Sequence, residues 1–388
     1  MLDFFNRFSI FELSFLAALL LTFVILMGYY LCMFLPVVTY KLSKKDEIDD
    51  NSVRAISVVV AVQDDIDFLE NEVEKIMNQN FSEPYQLVIV DNQSVLPRTI
   101  EILTELKERY ENIYITKIPI STKPSFTPQS NRKLANAVGV KGAKYENIVL
   151  LSPRVKIKSE KWLHLMAKGF DHSSITTSFC RIKKRGGIAN MAARSRNILH
   201  AFFYLSKAIN GNPYMVTDGA FGFKRNLFFE NSGFTKKSRL ARGESDLFIQ
   251  SVAKPKSISL VLHPNATVER DQKGGIVQFL SDQSFYSYHY RFYPLSTKIY
   301  SIVYHISTVI FWCSAIYLLG FGDMTLMIIS GSVTFVKLMT LIILAFKLSK
   351  RTEQRVPLYL LFYDILAPFE QLIITLKNLV KPRKDIWV

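Results

Sequence analysis

Residues 13–38 form a nearly unbroken apolar run, interrupted only by Ser14, Thr22, Gly28 and Pro36. A helix needs about 20 such residues to cross the ~30 Å hydrocarbon core of a bilayer. The run therefore predicts a chain anchored in a membrane. A cleaved leader fits poorly, because no basic segment precedes the run and no small-x-small cleavage site follows it. Residues 302–319 and 324–346 are two further runs, the second carrying the single charge Lys337. Only Gly320-Phe321-Gly322-Asp323 separates them, which predicts a tight helical hairpin. Lys337 inside it either snorkels to the interface or pairs with a neighbour, and an intramembrane functional role is the other reading. Residues 356–380 are apolar but hold Asp364, Pro368, Glu370 and Lys377. They read as an amphipathic helix or a broken hairpin lying in the interface.

Positive charge sets the orientation. Lys41, Lys44 and Lys45 follow the first run, and Arg291 and Lys298 precede the second. Lys347, Lys350 and Arg351 follow the third, and Lys381, Arg383 and Lys384 sit near the C-terminus, whereas the hairpin tip holds only Asp323. All the basic flanks fall on one side if residues 42–300 are cytosolic. The organisation expected is a transmembrane helix over 1–41, a cytosolic domain over 42–300, a transmembrane hairpin over 301–347 and a cytosolic interfacial segment over 348–388. Much of the net charge of +15 then faces anionic lipid heads. No nucleic-acid-binding motif is present, so nucleic acid is not an expected partner. An apolar content of 49% excludes disorder. Three cysteines without Cys-x-x-Cys spacing, and six histidines without ligand spacing, argue against a disulfide scaffold and a structural metal.

The segment 42–300 reads as α/β. Residues 55–62 and 85–90 are continuous β-branched runs, the pattern of strands buried on both faces. Residues 113–118 and 147–151 read as two more strands. Helical spacing over 68–78, 99–110 and 130–143 separates the four, which predicts a doubly wound, mainly parallel, Rossmann-like sheet. Ligands bind beyond the carboxyl ends of such strands. That rule singles out Gln63-Asp64-Asp65, Asp91-Asn92-Gln93-Ser94 and Ser152-Pro153-Arg154.

The opening ISVVVAVQDDIDFLENEVEKIMNQNFSEPYQLVIVDNQS resembles the nucleotide-binding start of family 2 inverting glycosyltransferases of the GT-A fold. The resemblance continues through NRKLANAVGVKGAKYENIVLLSPRVKIKSEKWL, AFFYLSKAINGNPYMVTDGAFGFKRNLFFENSGF and RGESDLFIQSVA. One helix before the domain and two after it fit the membrane-bound members, particularly those of Bacteroidetes-type bacteria. The resemblance implies a GT-A-like domain at the bacterial inner membrane and a UDP- or GDP-linked sugar donor. It also implies a lipid-linked or polysaccharide acceptor and a possible partner protein in envelope-glycan assembly. Carried over residue by residue, it points to Ala61, Val62, Gln63 and Asp91 for the nucleoside. It makes Glu244 and Asp246 the candidate catalytic acids, with Asp246 the general base, and puts Asp218, Gly219 and Gln283 on the acceptor side.

The departures are specific. Family members hold Mg²⁺ or Mn²⁺ with an Asp-x-Asp where this chain has Ser152-Pro153-Arg154. Serine is a weak ligand and arginine cannot ligate, so no metal is expected. The acceptor turn reads Asp218-Gly219-Ala220, and the acidic pair is spread over Gly243-Glu244-Ser245-Asp246. The membrane-proximal Gln-x-x-Arg motif is blurred: Gln283 is followed three residues later by Tyr286.

Each feature has a plainer alternative. Asp91 could cap the turn after its strand. Glu244 and Asp246 could begin a helix, where carboxylates are favourable. Arg154, Lys156 and Lys158 alternate onto one strand face. That face is either solvated or a cationic cradle in which Arg154 takes the metal's place beside a diphosphate. Two functions remain: a sugar transferase at the cytosolic membrane face, and an inactive pseudo-glycosyltransferase serving as scaffold or regulatory partner.

Overall fold

The computed structural model describes residues 8–41, 54–118, 128–171, 173–234, 243–272, 274–277, 280 and 288–380. Helix α1 (Ile10–Thr39) opens on a capping box in which Ser9 and Glu12 satisfy one another's amides. It widens to a π-helical turn over Tyr29–Phe34 just before Pro36. The chain then alternates through β1 (Ile56–Val62), α2 (Ile66–Asn71), α3 (Val73–Met77), β2 (Tyr85–Asp91), α4 (Pro97–Arg109), β3 (Ile113–Lys117), α5 (Pro128–Gly142) and β4 (Asn147–Leu151). All seven residues of β1 and all five of β4 are buried, as their unbroken apolar runs require. Helix α5 lies hard against β1: a Cβ on Gly139 would fall 2.3 Å from Val59 Cγ1. Glycine is what permits that approach.

Next come β5 (Val155–Ile157), α6 (Trp162–Lys168), β6 (Ile175–Thr177), β7 (Cys180–Ile182), the long α7 (Ile188–Ile209), β8 (Ala220–Lys224) and α8 (Arg225–Glu230). A π-helical turn over Glu244–Phe248 leads into α9 (Ile249–Val252), followed by β9 (Ile258–Leu260) and β10 (Val268–Arg270). The main sheet runs β3-β2-β1-β4-β8-β6-β9. The four strands expected from sequence are parallel neighbours, as the pattern predicted. Strand β8 is antiparallel to both β4 and β6, so the sheet is mixed rather than wholly parallel. A second sheet, β5-β10-β7, forms beside it.

The antiparallel strand positions the site. Leu151, the last residue of β4, pairs with Ala220, the first of β8. The segment leaving β4 therefore lies beside the segment arriving at β8, and the Ser152 amide donates to the Gly219 carbonyl at 2.8 Å. Gly219 has φ +132°, and a Cβ there would meet Val155 at 3.0 Å, so the turn calls for glycine.

Helices α10 (Leu295–Phe321) and α11 (Met324–Thr352) form the hairpin, turning at Gly322-Asp323. With α1, they are the three helices among the described residues that are long and apolar enough to cross a membrane. Helix α1 packs along α10, with Phe15 stacked on Tyr317 and the Tyr29 hydroxyl donating to the Tyr300 carbonyl at 2.6 Å. Residues 356–380 resolve the two expected shapes into one helix, α12 (Leu360–Val380), with Pro368 inside it. Of the alternatives for Lys337, the structure has the pair: its ammonium meets Asp364 of α12, both fully buried, and the Trp312 indole donates to the same carboxylate at 2.9 Å. A second ion pair, Arg196 to Glu370 at 2.7 Å, ties α12 to α7. Phe362, Phe369 and Ile373 point outward from it.

Candidate active site

The carboxyl ends of β1 and β2 lie side by side, with Val62 paired to Asp91. The two turns that follow brace one another. The Asp64 amide donates to Ser94 Oγ at 3.0 Å, and the Asp64 carboxylate accepts from the amides of Val95 and Leu96 and from the Thr99 hydroxyl. Asp64 adopts φ +54° to do so. Asp91 is buried, and one of its oxygens accepts from the Ser94 amide at 2.9 Å, the capping arrangement. Ala61 and Val62 bury their side chains in the core, and the Val62 carbonyl accepts from Asn92. Gln63 is exposed at the edge. Asp65 is raised above the ordinary carboxylate range by burial, against the opposing pull of the Gln63 amide and the Arg154 and Arg132 charges. The charges of Arg154, after β4, and of Arg132, on α5, thus both act on Asp65.

One cleft joins sequence-distant candidates. Ser152, Asp218, Gly219, Glu244 and Asp246 line it together, with Arg132 and Asn136 from α5 and with His289. Asp246 is 1% exposed and held at both oxygens. Its Oδ2 accepts from His289 Nδ1 at 2.8 Å and from the Tyr293 hydroxyl at 2.9 Å, and its Oδ1 accepts from the Leu247 amide at 2.7 Å. Glu244 Oε1 accepts from Asn136 Nδ2 at 3.0 Å. The tight opening of this turn depends on Gly243, at φ +132°. Asp218 sits 3.9 Å from Arg270 of β10. Gln283 and Tyr286 lie outside the described residues.

The residues after β4 do not fit a divalent metal. Ser152 Oγ accepts from the Arg154 amide at 3.4 Å, Pro153 has no side-chain donor atom, and Arg154 brings a cation. Among the described residues no three His, Cys, Asp or Glu side chains gather as a metal site. Two members of the cationic face are held in ion pairs, Lys156 with Asp67 and Lys158 with Glu269, each at 3.0 Å. Arg132, which sequence reasoning did not single out, lines the cleft, and the Arg154 charge acts on Asp65.

Sequence reasoning did not find Arg132, Asn136 and His289, which line this cleft, or Tyr293, which bonds Asp246 from behind it. The first two sit in the stretch 130–143, which the sequence marks as a helix without singling out either residue. The last two belong to the aromatic tract 288–293, whose density just before the second apolar run was the available signal.

The fold is similar to that of a mannosyltransferase from Pyrobaculum calidifontis, PcManGT, solved in complex with GDP-Man and Mn²⁺. The TM-score is 0.57 at 11% identity, over 95% of this chain and 99% of that one. A structure of S. aureus TarS in complex with UDP-GlcNAc overlaps at a TM-score of 0.42 and 14% identity, over 84% of this chain and 92% of that one. The likeness to PcManGT is one of fold. No family model matches the chain, and no curated protein matches it.

Proposed function

We propose that the chain is a membrane-embedded inverting glycosyltransferase that moves a sugar from a UDP- or GDP-linked donor to a lipid-linked or polysaccharide acceptor. In this reading residues 42–300 are cytosolic and the membrane is the bacterial inner membrane. The observation that carries it is Asp246: a buried carboxylate, fixed by three donors, at the wall of a cleft opening on the sheet's ligand-binding edge. The nucleoside would lie at Gln63 and Asp91, and the diphosphate at Arg154 and Arg132. The acceptor hydroxyl would bond to the anomeric carbon as that carbon's bond to the diphosphate breaks. The nucleoside diphosphate leaves with the bonding pair, and the hydroxyl proton passes to Asp246. Asp218 and Gly219 would line the acceptor side, with Glu244 the second candidate catalytic acid. Bidentate arginine would supply the charge that developing diphosphate requires.

The second reading, a catalytically silent scaffold or partner, is favoured by Ser152-Pro153-Arg154, which removes the usual metal ligands. One experiment separates the two: purified full-length protein in nanodiscs, tested for turnover of UDP- and GDP-sugars beside Asp246→Asn. A transferase loses about 10²–10⁴ of its rate in that variant while still binding nucleotide. Nucleotide binding with no turnover of any donor by the unaltered protein supports the scaffold.

A further inference from the structure

Asp246 is poorly placed to touch an acceptor by itself. Its side chain is 1% exposed, and three donors take three of the roughly four lone-pair sites that a carboxylate offers. The two side chains that hold it differ. The Tyr293 hydroxyl reaches Asp246 from the side of a second cavity, which Tyr293 lines together with Tyr214 and Tyr290. His289 instead lines the same cleft as Ser152, Asp218, Glu244 and Asp246. Its side chain keeps 5% of its surface open, against 1% for Asp246. Of the two, the imidazole has more surface to offer.

His289 comes just before the single turn Tyr290–Phe292, and Pro294 then caps α10. The turn is tied to that helix. The Tyr290 hydroxyl donates to the Lys298 carbonyl at 3.0 Å, and the Lys298 ammonium donates to the Arg291 carbonyl at 2.8 Å. The entry of a membrane-spanning helix thus holds the imidazole in place. Its Nδ1 lies 2.8 Å from Asp246 Oδ2. A carboxylate only accepts, so the hydrogen of that bond belongs to Nδ1. In a neutral imidazole the lone pair is then on Nε2. Among the described residues nothing hydrogen-bonds to Nε2, and Nε2 is not one of the enclosed polar atoms that lack a partner. It is the nitrogen left open.

We propose that His289 is a catalytic residue of the transfer: its Nε2 takes the hydroxyl proton of the acceptor, and Asp246 orients the ring and balances the charge that results. The proposal rests on the transferase reading and refines the route of its proton. The hydroxyl gives the proton to His289, and the His289–Asp246 pair holds it as a unit. One lone pair of the hydroxyl oxygen forms the bond to the anomeric carbon, and the nucleoside diphosphate leaves with the electrons of the bond that breaks. The O–H electrons stay on the oxygen and its proton goes to Nε2. The imidazolium keeps its Nδ1 hydrogen on Asp246 Oδ2, where an opposite charge favours it. A histidine oriented by a carboxylate is a recurrent means of taking a proton from a hydroxyl. Tyr293, donating to the same Oδ2, is a positioning residue that steadies the carboxylate.

The test uses full-length protein in nanodiscs and follows hydrolysis of UDP- and GDP-sugars, with water standing in for the acceptor hydroxyl. His289→Asn keeps an amide N–H near the place of Nδ1 and has no atom in place of Nε2. It should bind UDP or GDP as the unaltered protein does, and its kcat should fall by at least about 10². Tyr293→Phe, which removes one donor to Asp246, should cost about tenfold. His289→Asn/Asp246→Asn should be about as slow as the slower single variant, because groups that act as a unit do not add. In ¹⁵N-histidine-labelled protein at pH 8, the ring whose signals shift in Asp246→Asn should have Nδ1 protonated and Nε2 bare. That reading decides the matter if His289→Asn fails to bind nucleotide. The proposal is overturned if His289→Asn loses no more than Tyr293→Phe, if the losses multiply in the double variant, or if Nε2 is protonated at pH 8. Hydrolysis that survives His289→Asn brings down this proposal alone. Hydrolysis of no donor by the unaltered protein brings down the transferase reading and the proposal with it.

Discussion

Asp246 cannot swing: His289, Tyr293 and the Leu247 amide together occupy both of its oxygens. Its candidacy was legible, because two acids follow a glycine at the expected place in the chain. Its holders were not, since a histidine and a tyrosine more than forty residues away are brought there only by the fold. Asp91 shows the reverse. The sequence allowed a turn cap or a nucleoside contact, and one oxygen is engaged as the cap. Asp65 is the residue whose environment conflicts with its charge, a condition that clusters at functional sites. Its folded-state pKa is raised, chiefly by burial. Its contribution to stability is thus present below its unfolded pKa and lost as pH rises through the folded value, so the ionised group is a burden at neutral pH. Asp65→Asn should raise the melting temperature by a few degrees at pH 7–8, and the gain should fade as pH drops below about 4 and vanish near about pH 3, where the carboxyl is largely neutral in either state. Scanning fluorimetry across pH measures this. A gain as large at low pH as at high would show that burial of charge is not the cause.

The elements that were legible are those with long, unmixed patterns. Strands β1, β2 and β4 and the three apolar helices declare themselves by length and composition. The second sheet did not, because its strands have three residues each and three residues have no period. Nor did the direction of β8, which depends on how the chain returns after α7. Helix α12 was visible as a helix, but its acids misled. Asp364 and Glu370 read as a face toward water, whereas both point into protein and pin the helix to α11 and α7. The Lys337–Asp364 pair is completely buried, and such a pair is worth little against apolar replacements yet costly to break. Lys337→Met alone should therefore destabilise the protein by about 3–5 kcal/mol, with Lys337→Met/Asp364→Leu restoring most of that loss. Thermal unfolding of the single and double variants in one detergent gives the cycle. A double variant as unstable as Lys337→Met would mean that the pair does more than satisfy its own charges.

At the scale of the molecule, the described residues form three apolar helices and a mixed α/β domain whose fold is similar to that of a mannosyltransferase. The arrangement follows from two facts of sequence: apolar runs long enough to span, and strands alternating with helices between them. The convergence of Ser152, Asp218 and Asp246 on one cleft could not be read that way, because the antiparallel pairing of β4 with β8 creates it. Under the function proposed above, a nucleoside diphosphate binds at the ends of the strands beside this cleft, held by Arg154 and Arg132 in place of a metal. Titration calorimetry of UDP and GDP into the purified full-length protein, in EDTA and then with Mn²⁺ in excess, tests it most directly. Binding should persist in EDTA, weaken as salt rises, and fall about tenfold in Arg154→Ala, a loss of ~1.4 kcal/mol. Binding that disappears in EDTA and returns only with Mn²⁺ would contradict the account and make Asp218, Glu244 and Asp246 the first ligands to examine.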